Sequence, residues 1–240
     1  MRAMRALVKC MKMCAIGVLI CNFANAQERV YAIFNAKAIQ DANLSLGSSG
    51  IVAEIEVDVG SVVKKGDKLL SLFNLDVQAQ VESIRQQYNF NKKQYERYKR
   101  SAGAVDRNSL DRYFADFKRY EADLAYQEAL LSKTILLAPF DGVIASKDIE
   151  LGDGVGANNT KLFRLISEEV KIVLEFDIKY ITKVRVGDTF EFSVDDGEKQ
   201  KATIYKIYPL AGETNRKVKA EALVENIIPG TFGDGYIQTR

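Results

Sequence analysis

The side chains that most often do catalytic work are nearly missing from this 240-residue sequence. Histidine is absent, and the three cysteines, Cys10, Cys14 and Cys21, all fall within the first 26 residues. Without imidazole, the usual acid–base relays and most zinc chemistry are unavailable; beyond Cys21 there is no thiolate nucleophile and no disulfide. Carboxylates are plentiful, but they sit in charged helix faces and turns, with no pair set apart by spacing for proton transfer. Phosphate-binding and dinucleotide-binding glycine loops are also missing. A non-enzymatic protein without cofactor or metal is the expectation. The polar residues that remain of interest form a break between two helical patterns, Ser101 to Ser109, which contains Gly103, Asp106, Arg107 and Asn108. That segment is too polar to make a core of its own. It suits charged contacts with a partner better than bond breaking.

Two heptad stripes flank the break. Val77, Val81, Ile84, Tyr88, Asn91, Tyr95 and Tyr98 recur at steps of four and three, and Leu110, Tyr113, Phe117, Tyr120, Leu124, Gln127 and Leu131 repeat the rhythm. No proline interrupts either run, and Ser109 is placed to cap the second helix. Equal stripes around a short break predict an antiparallel helical hairpin over 75–132, whose arms of about 26 residues would carry the tip roughly 40 Å outward. Its outer faces are charged, as solvated helix faces usually are. A projection of this kind buries little by itself and suggests a partner.

The segments on either side of the hairpin are copies of each other. Gly50-Ile51-Val52 returns 92 residues later as Gly142-Val143-Ile144, Val57 as Ile149, Val59-Gly60 as Leu151-Gly152, Val63 as Val155 and Leu70 as Leu162. Each copy alternates apolar and polar residues between glycines, which reads as short strands and tight turns. Gly50, Gly60, Gly66, Gly142 and Gly152 are expected at turns with positive φ. One copy cannot close a core, so 47–74 and 133–167 are expected to face each other as a small sandwich. Five further strand-like runs, Val170 to Phe176, Thr189 to Val194, Ala202 to Tyr208, Val218 to Val224 and Thr231 to Ile237, come after it, with a short helix at Ile178 to Val184. Together with the strand-forming 27–46, the segment 168–240 is expected to close a six-stranded barrel without free edges.

Residues 1–26 read as a secretory leader. Arg2, Arg5, Lys9 and Lys12 precede the apolar Met13 to Phe23, and Ala24-Asn25-Ala26 offers a cleavage site. Cleavage is expected over a retained anchor, because the apolar run is short of a bilayer span, and over lipidation at Cys21, because Ile20 is bulky. Removing the leader takes the formal charge from +2 to −2. With no basic excess, nucleic-acid binding is not expected.

Leu137-Ala138-Pro139-Phe140-Asp141-Gly142-Val143-Ile144 after the hairpin, the half-sandwich before it, and Pro229-Gly230-Thr231-Phe232-Gly233 near the end together resemble the periplasmic adaptor, or membrane fusion protein, family of Gram-negative tripartite efflux pumps (HlyD/RND type). The resemblance runs through nearly all of the mature chain in the family's order. It implies a mainly β protein with a split lipoyl-like (barrel-sandwich hybrid) domain, a coiled-coil hairpin and a six-stranded β-barrel. It also implies a periplasmic bridge, held at the inner membrane by a transporter, that reaches an outer-membrane channel of the TolC type and assembles as a ring, often of six. By the same resemblance the hairpin tip, with Arg97, Arg100, Ser101, Asp106, Arg107 and Ser109, is the channel-docking surface. Where members often carry Arg, Leu and Ser, this tip offers Arg97 or Arg100, a polar Ser101, and Asp106 near the Ser position. Little sequence before Arg240 is left for the membrane-proximal domain that many members add. This weakens the expectation of a large resistance-nodulation-division transporter and leaves an ABC or major-facilitator export system as the alternative. The half-sandwich also resembles biotinyl and lipoyl carriers, but the hairpin replaces the turn that presents their modified lysine, and Lys133 has no carrier-type context.

Overall fold

The computed structural model describes residues 28–101, 106–194, 197, 199–213 and 215–240. The expected leader at 1–26 and Gly103 of the break lie outside the described residues. In chain order the elements are β1 (Arg29–Ala38), β2 (Asp41–Leu44), β3 (Gly50–Ile55), β4 (Val62–Val63), β5 (Lys68–Leu72), α1 (Leu75–Arg100), α2 (Arg107–Ser132) and β6 (Ile135–Leu137). After these come β7 (Gly142–Lys147), β8 (Gly154–Val155), β9 (Phe163–Ile166), β10 (Val170–Asp177), β11 (Thr189–Phe192), β12 (Gln200–Ala211), β13 (Lys217–Val224) and β14 (Phe232–Gln238). They divide into two compact units, one joining the segment up to Lys37 with Val170–Arg240, the other spanning Ala38–Glu169.

The first unit is a closed barrel with strand order β1-β10-β13-β12-β11-β14. In β1 every second side chain, Val30, Ala32, Phe34, Ala36 and Ala38, is buried, the period of two expected of a strand with one wet face. Within a mostly aliphatic interior lies a cluster of rings: Phe34 meets Phe190 edge-on at 5.9 Å and Phe192 at 4.8 Å. Gly235 makes room for these rings, since a Cβ there would fall 2.8 Å from Phe190 Cζ. The helix expected at Ile178 to Val184 is reduced to one 3-10 turn, Ile178–Tyr180, capped by Asp177 through the N–H of Lys179.

One charged residue interrupts this simple pattern. Glu221 lies at an outward position of β13, yet its side chain is only 3% exposed. Lys171 Nζ donates to it at 2.8 Å, and the hydroxyls of Tyr205 and Tyr208 each donate at 2.5 Å. Residues three apart on a regular strand point to opposite faces; the register slip of β12 between Ile204 and Lys206 allows both tyrosines to reach the same carboxylate. Burial alone would raise the Glu221 pKa, but the three donors outweigh it and bring it down to about 2.

In the second unit, two four-stranded sheets, β2-β9-β7-β4 and β6-β5-β3-β8, enclose Val52, Val63, Leu70, Ile144, Val155 and Leu162. These are three of the equivalent pairs of the repeat, Val52/Ile144, Val63/Val155 and Leu70/Leu162, all in one core. The copies also exchange strands: β4 of the first pairs with β7 of the second, and β8 of the second with β3 of the first. Turn bonds obey the same pseudo-symmetry, Gly60 N–H donating to Ile144 O at 2.8 Å and Gly152 N–H to Val52 O at 3.0 Å.

Three sequence expectations need correction here. Segment 41–46 belongs to the sandwich and not to the barrel: β2 pairs with β9, Leu44 and Leu46 enter the sandwich core, and Arg164 forks onto Asp41 at 2.9 and 2.6 Å. Gly60, Gly66 and Gly152 have φ of 85°, 93° and 90°, whereas Gly50 and Gly142 do not have positive φ and instead open strands β3 and β7. Close approach explains both: a Cβ on Gly50 would lie 3.0 Å from Leu72 Cδ1, and one on Gly142 would overlap the carbonyl oxygen of Ile166. Third, Ser109 is not the cap of α2; Asp106 holds that position.

Candidate functional site

The two helices that leave and re-enter the sandwich have 26 residues each, about 40 Å of rise. All fourteen heptad positions are buried or half-buried, and Val81, near the base, is the most enclosed residue of α1. Toward the tip the seam is a ladder of rings: Tyr88 lies 5.8 Å from Phe117, Tyr95 stacks on Phe117 at 5.7 Å, and Tyr98 stacks on Tyr113 at 4.2 Å. Ring pairs of this kind contribute about 0.5–1.5 kcal/mol each beyond their burial. Arg85 reaches across to Glu128 at 2.8 Å, a half-exposed pair of small energetic weight.

The base is fastened by polar groups. Asn74, buried just before α1, donates through Nδ2 to Thr134 Oγ1 at 2.8 Å, and Thr134 donates in turn to Leu131 O at 2.7 Å. Gln78 Nε2 donates to Asn74 Oδ1 at 2.6 Å, and Leu72 N–H to Thr134 O at 2.9 Å. Entry and exit of the hairpin are thus tied together at the sandwich wall. Sequence reasoning missed this clamp; its available signal was an amide and a hydroxyl immediately flanking two heptad runs.

At the far end, Arg97, Arg100 and Ser101 close α1 while Asp106, Arg107 and Ser109 open α2. The Tyr98–Tyr113 stack brings the two ends together. Asp106 accepts from the Ser109 N–H at 3.0 Å and from its hydroxyl at 2.5 Å, which holds the Asp106 carboxyl below its ordinary range. Ser101, although exposed, bonds back onto its own helix, its N–H and Oγ both donating to Arg97 O at 3.2 Å. Arg100 Nε donates to Glu96 O at 3.3 Å. Arg97, Arg100 and Arg107 are all exposed, and their guanidinium groups form no ion pair among the described residues. The six residues therefore split into a capping pair, Asp106 and Ser109, a helix-terminating Ser101, and three outward cations. Chemically, the described part of the tip presents exposed cations and holds no arrangement of groups for bond making or breaking.

Elsewhere, among the described residues, no group of three or more acidic, histidine or cysteine side chains could hold a metal. An open hollow of about 690 Å³ beside β4 and β7 is lined by groups of both signs, Lys64, Lys65, Asp141, Glu168 and Glu169 among them. Among the described residues, no helix is long and apolar enough to cross a membrane.

With this geometry in hand, comparison with known proteins gives consistent matches. Residues 42–166, just over half of the chain, match the family model described as CzcB-like, barrel-sandwich hybrid domain. The cobalt-zinc-cadmium resistance protein CzcB of Cupriavidus metallidurans is 27% identical over 198 residues, which cover 74% of this chain and 38% of that relative. The chain thus spans well under two thirds of this curated relative's length. Among solved structures, a MacA-MexA chimeric protein containing the Pseudomonas aeruginosa MexA α-hairpin domain superposes with a TM-score of 0.79 at 22% identity, covering 90% of this chain and 83% of that one. MacA from Actinobacillus actinomycetemcomitans gives a TM-score of 0.67 at 21% identity, covering 89% and 79%.

Proposed function

Because the chain belongs to the CzcB-like barrel-sandwich hybrid family, we propose that it is a non-catalytic periplasmic adaptor of an efflux system, joining an inner-membrane transporter to an outer-membrane channel of the TolC type. The observation that carries this reading is the hairpin: two helices held together by an aromatic seam, fastened at the base by Asn74 and Thr134, and ending in exposed cations a full helix length from that base. A rigid arm with a polar end supports no chemistry on a small molecule. It suits reaching and touching another protein. Copies of the chain assemble as a ring on the transporter, with six the expected number, and the exported compound passes through the bridged assembly without being altered.

In-cell crosslinking tests the proposal. A photo-reactive residue placed at the exposed Asn108 is expected to capture an outer-membrane channel, and one on the barrel's outer face an inner-membrane transporter. Deletion of the chain is expected to abolish export of the substrate without altering the amount of either partner. Export that persists at the normal rate in the deletion strain would remove the adaptor role.

A further inference from the structure

Given the docking role proposed for the tip, its charge specifies the chemistry of the surface it meets. From Lys92 to Arg112 the chain carries seven basic side chains against three carboxylates, Glu96, Asp106 and Asp111. Nearer the base, cations are paired: Arg85 with Glu82 and Glu128, Lys118 with Glu121, Arg119 with Asp116. Among the described residues between Lys92 and Arg112 no such pair forms, and Asp106 is already occupied with Ser109.

Part of this excess has an ordinary cause. Arg97, Lys99 and Arg100 occupy the last turn of α1, where cations offset the negative end of the helix dipole. The opening of α2 is the opposite case. Its N-terminus is the positive end of the dipole, yet its first turn holds Arg107 and no acidic residue. A cation there works against the helix that carries it and forms no offsetting ion pair among the described residues of the hairpin. A local rule broken without an internal gain points outward.

We infer, resting on that docking role, that the tip meets an acidic protein surface, with Arg97 and Arg107, one from each helix, taking its carboxylates. Guanidinium forks fit carboxylates in a bidentate manner, which fixes orientation as well as supplying attraction. An anionic membrane suits this tip less well. The sequence between the two helices, Ala102-Gly103-Ala104-Val105, supplies none of the bulky aromatic, Leu or Ile side chains that sink a basic segment into lipid.

The test uses the full chain with a photo-reactive residue at Asn108, in three forms: the parent, Arg97→Gln with Arg107→Gln, and Arg97→Glu with Arg107→Glu. Thermal melts establish that all three fold. The parent is expected to crosslink to one outer-membrane protein, the neutral pair several-fold less, and the reversed pair not at all. In isolated membranes the parent's yield is expected to fall several-fold as salt rises from low to physiological. Equal yield from all three, indifferent to salt, overturns the acidic-surface inference and leaves the docking role standing. No protein crosslink in any form overturns both. Charge-dependent binding of the purified chain to phosphatidylglycerol vesicles, without a protein crosslink, would assign the cations to lipid and overturn the inference as well.

Discussion

Gly142 lies against Ile166 with no room for a side chain: a Cβ on Gly142 would come within 2.9 Å of the Ile166 carbonyl carbon and overlap its oxygen. Both residues are ladder partners in one sheet, Val143 pairing with Ile166 and Gly142 with Val63, so neither backbone can retreat without opening the sandwich.

Gly142→Ala is therefore expected to destabilise the protein by about 1–3 kcal/mol, and Gly142→Val by more, through overpacking and not through strained φ. Gly154, whose Cβ would meet nothing within 4 Å, is the matched control, and Gly154→Ala is expected to cost little. Urea denaturation of the full chain checks both; equal midpoints for Gly142→Ala and the parent would contradict the close approach.

The seam supplies a second prediction. Ile84→Asp or Leu124→Asp places a charge between α1 and α2 at half-buried positions, at a cost on the order of 2–3 kcal/mol. Hydrogen exchange should quicken in 75–132 while the barrel, with its own core, stays protected. Loss of protection in the barrel to the same degree would show that the two units unfold as one.

Glu221 makes stability depend on pH. Its pKa falls from 4.5 to about 2 on folding, so the stabilisation is fully present above pH 4.5 and is lost as pH falls toward 2. The loss should amount to about 2–3 kcal/mol. Tyr205 gives the alkaline counterpart: burial and the neighbouring carboxylate push its hydroxyl up to about 12 from 10, so its contribution holds below pH 10 and disappears as pH rises through 12. Barrel unfolding midpoints of Glu221→Leu measured between pH 2 and pH 7 should lie on a flatter line than the parent's.

Thr134→Val tests the clamp at the base. It leaves the buried Nδ2 of Asn74 without its acceptor and the Leu131 carbonyl without the hydroxyl, an expected cost of about 1–3 kcal/mol. The functional signature is angular. Spin labels on the tip and on the sandwich should show a broader distance distribution in the variant, and export should fall even where the protein remains folded. An unchanged distribution would mean that the seam alone sets the direction of the arm.

Much of this architecture was legible in the residues. The heptad stripes anticipated the hairpin because a period near 3.5 has few other outlets, and the alternation of Val30, Ala32 and Phe34 anticipated a barrel strand. What escaped was information held between distant segments. Asp41 to Leu46 alternates as any strand does, and only pairing with β9 assigns it to the sandwich. Glycine at 60 and glycine at 142 look alike in sequence, although one is required by φ and the other by a neighbour's carbonyl. At the tip, Ser109 and Asp106 are both good caps by composition, and the outcome turned on which residue fell one position before the first helical φ and ψ. Glu221 could not be read at all, since its burial depends on a slip in β12 that brings two tyrosines to one side.

The exchange of β4 and β8 between the two repeat halves bears on how the chain reaches this state. Neither half can complete a sheet until the other arrives, and Leu72 and Thr134, which bond across the base, are separated in sequence by the whole hairpin. If α1 and α2 zip first, the effective loop shrinks from about 60 residues to a handful, and the entropic cost of closing the sandwich falls by about 2 kcal/mol. The arm would then act as a chaperoning splint for the domain it projects from. Seam substitutions should slow refolding of the sandwich in stopped-flow experiments, and a rate insensitive to Leu124→Ala would show that the halves find each other unaided.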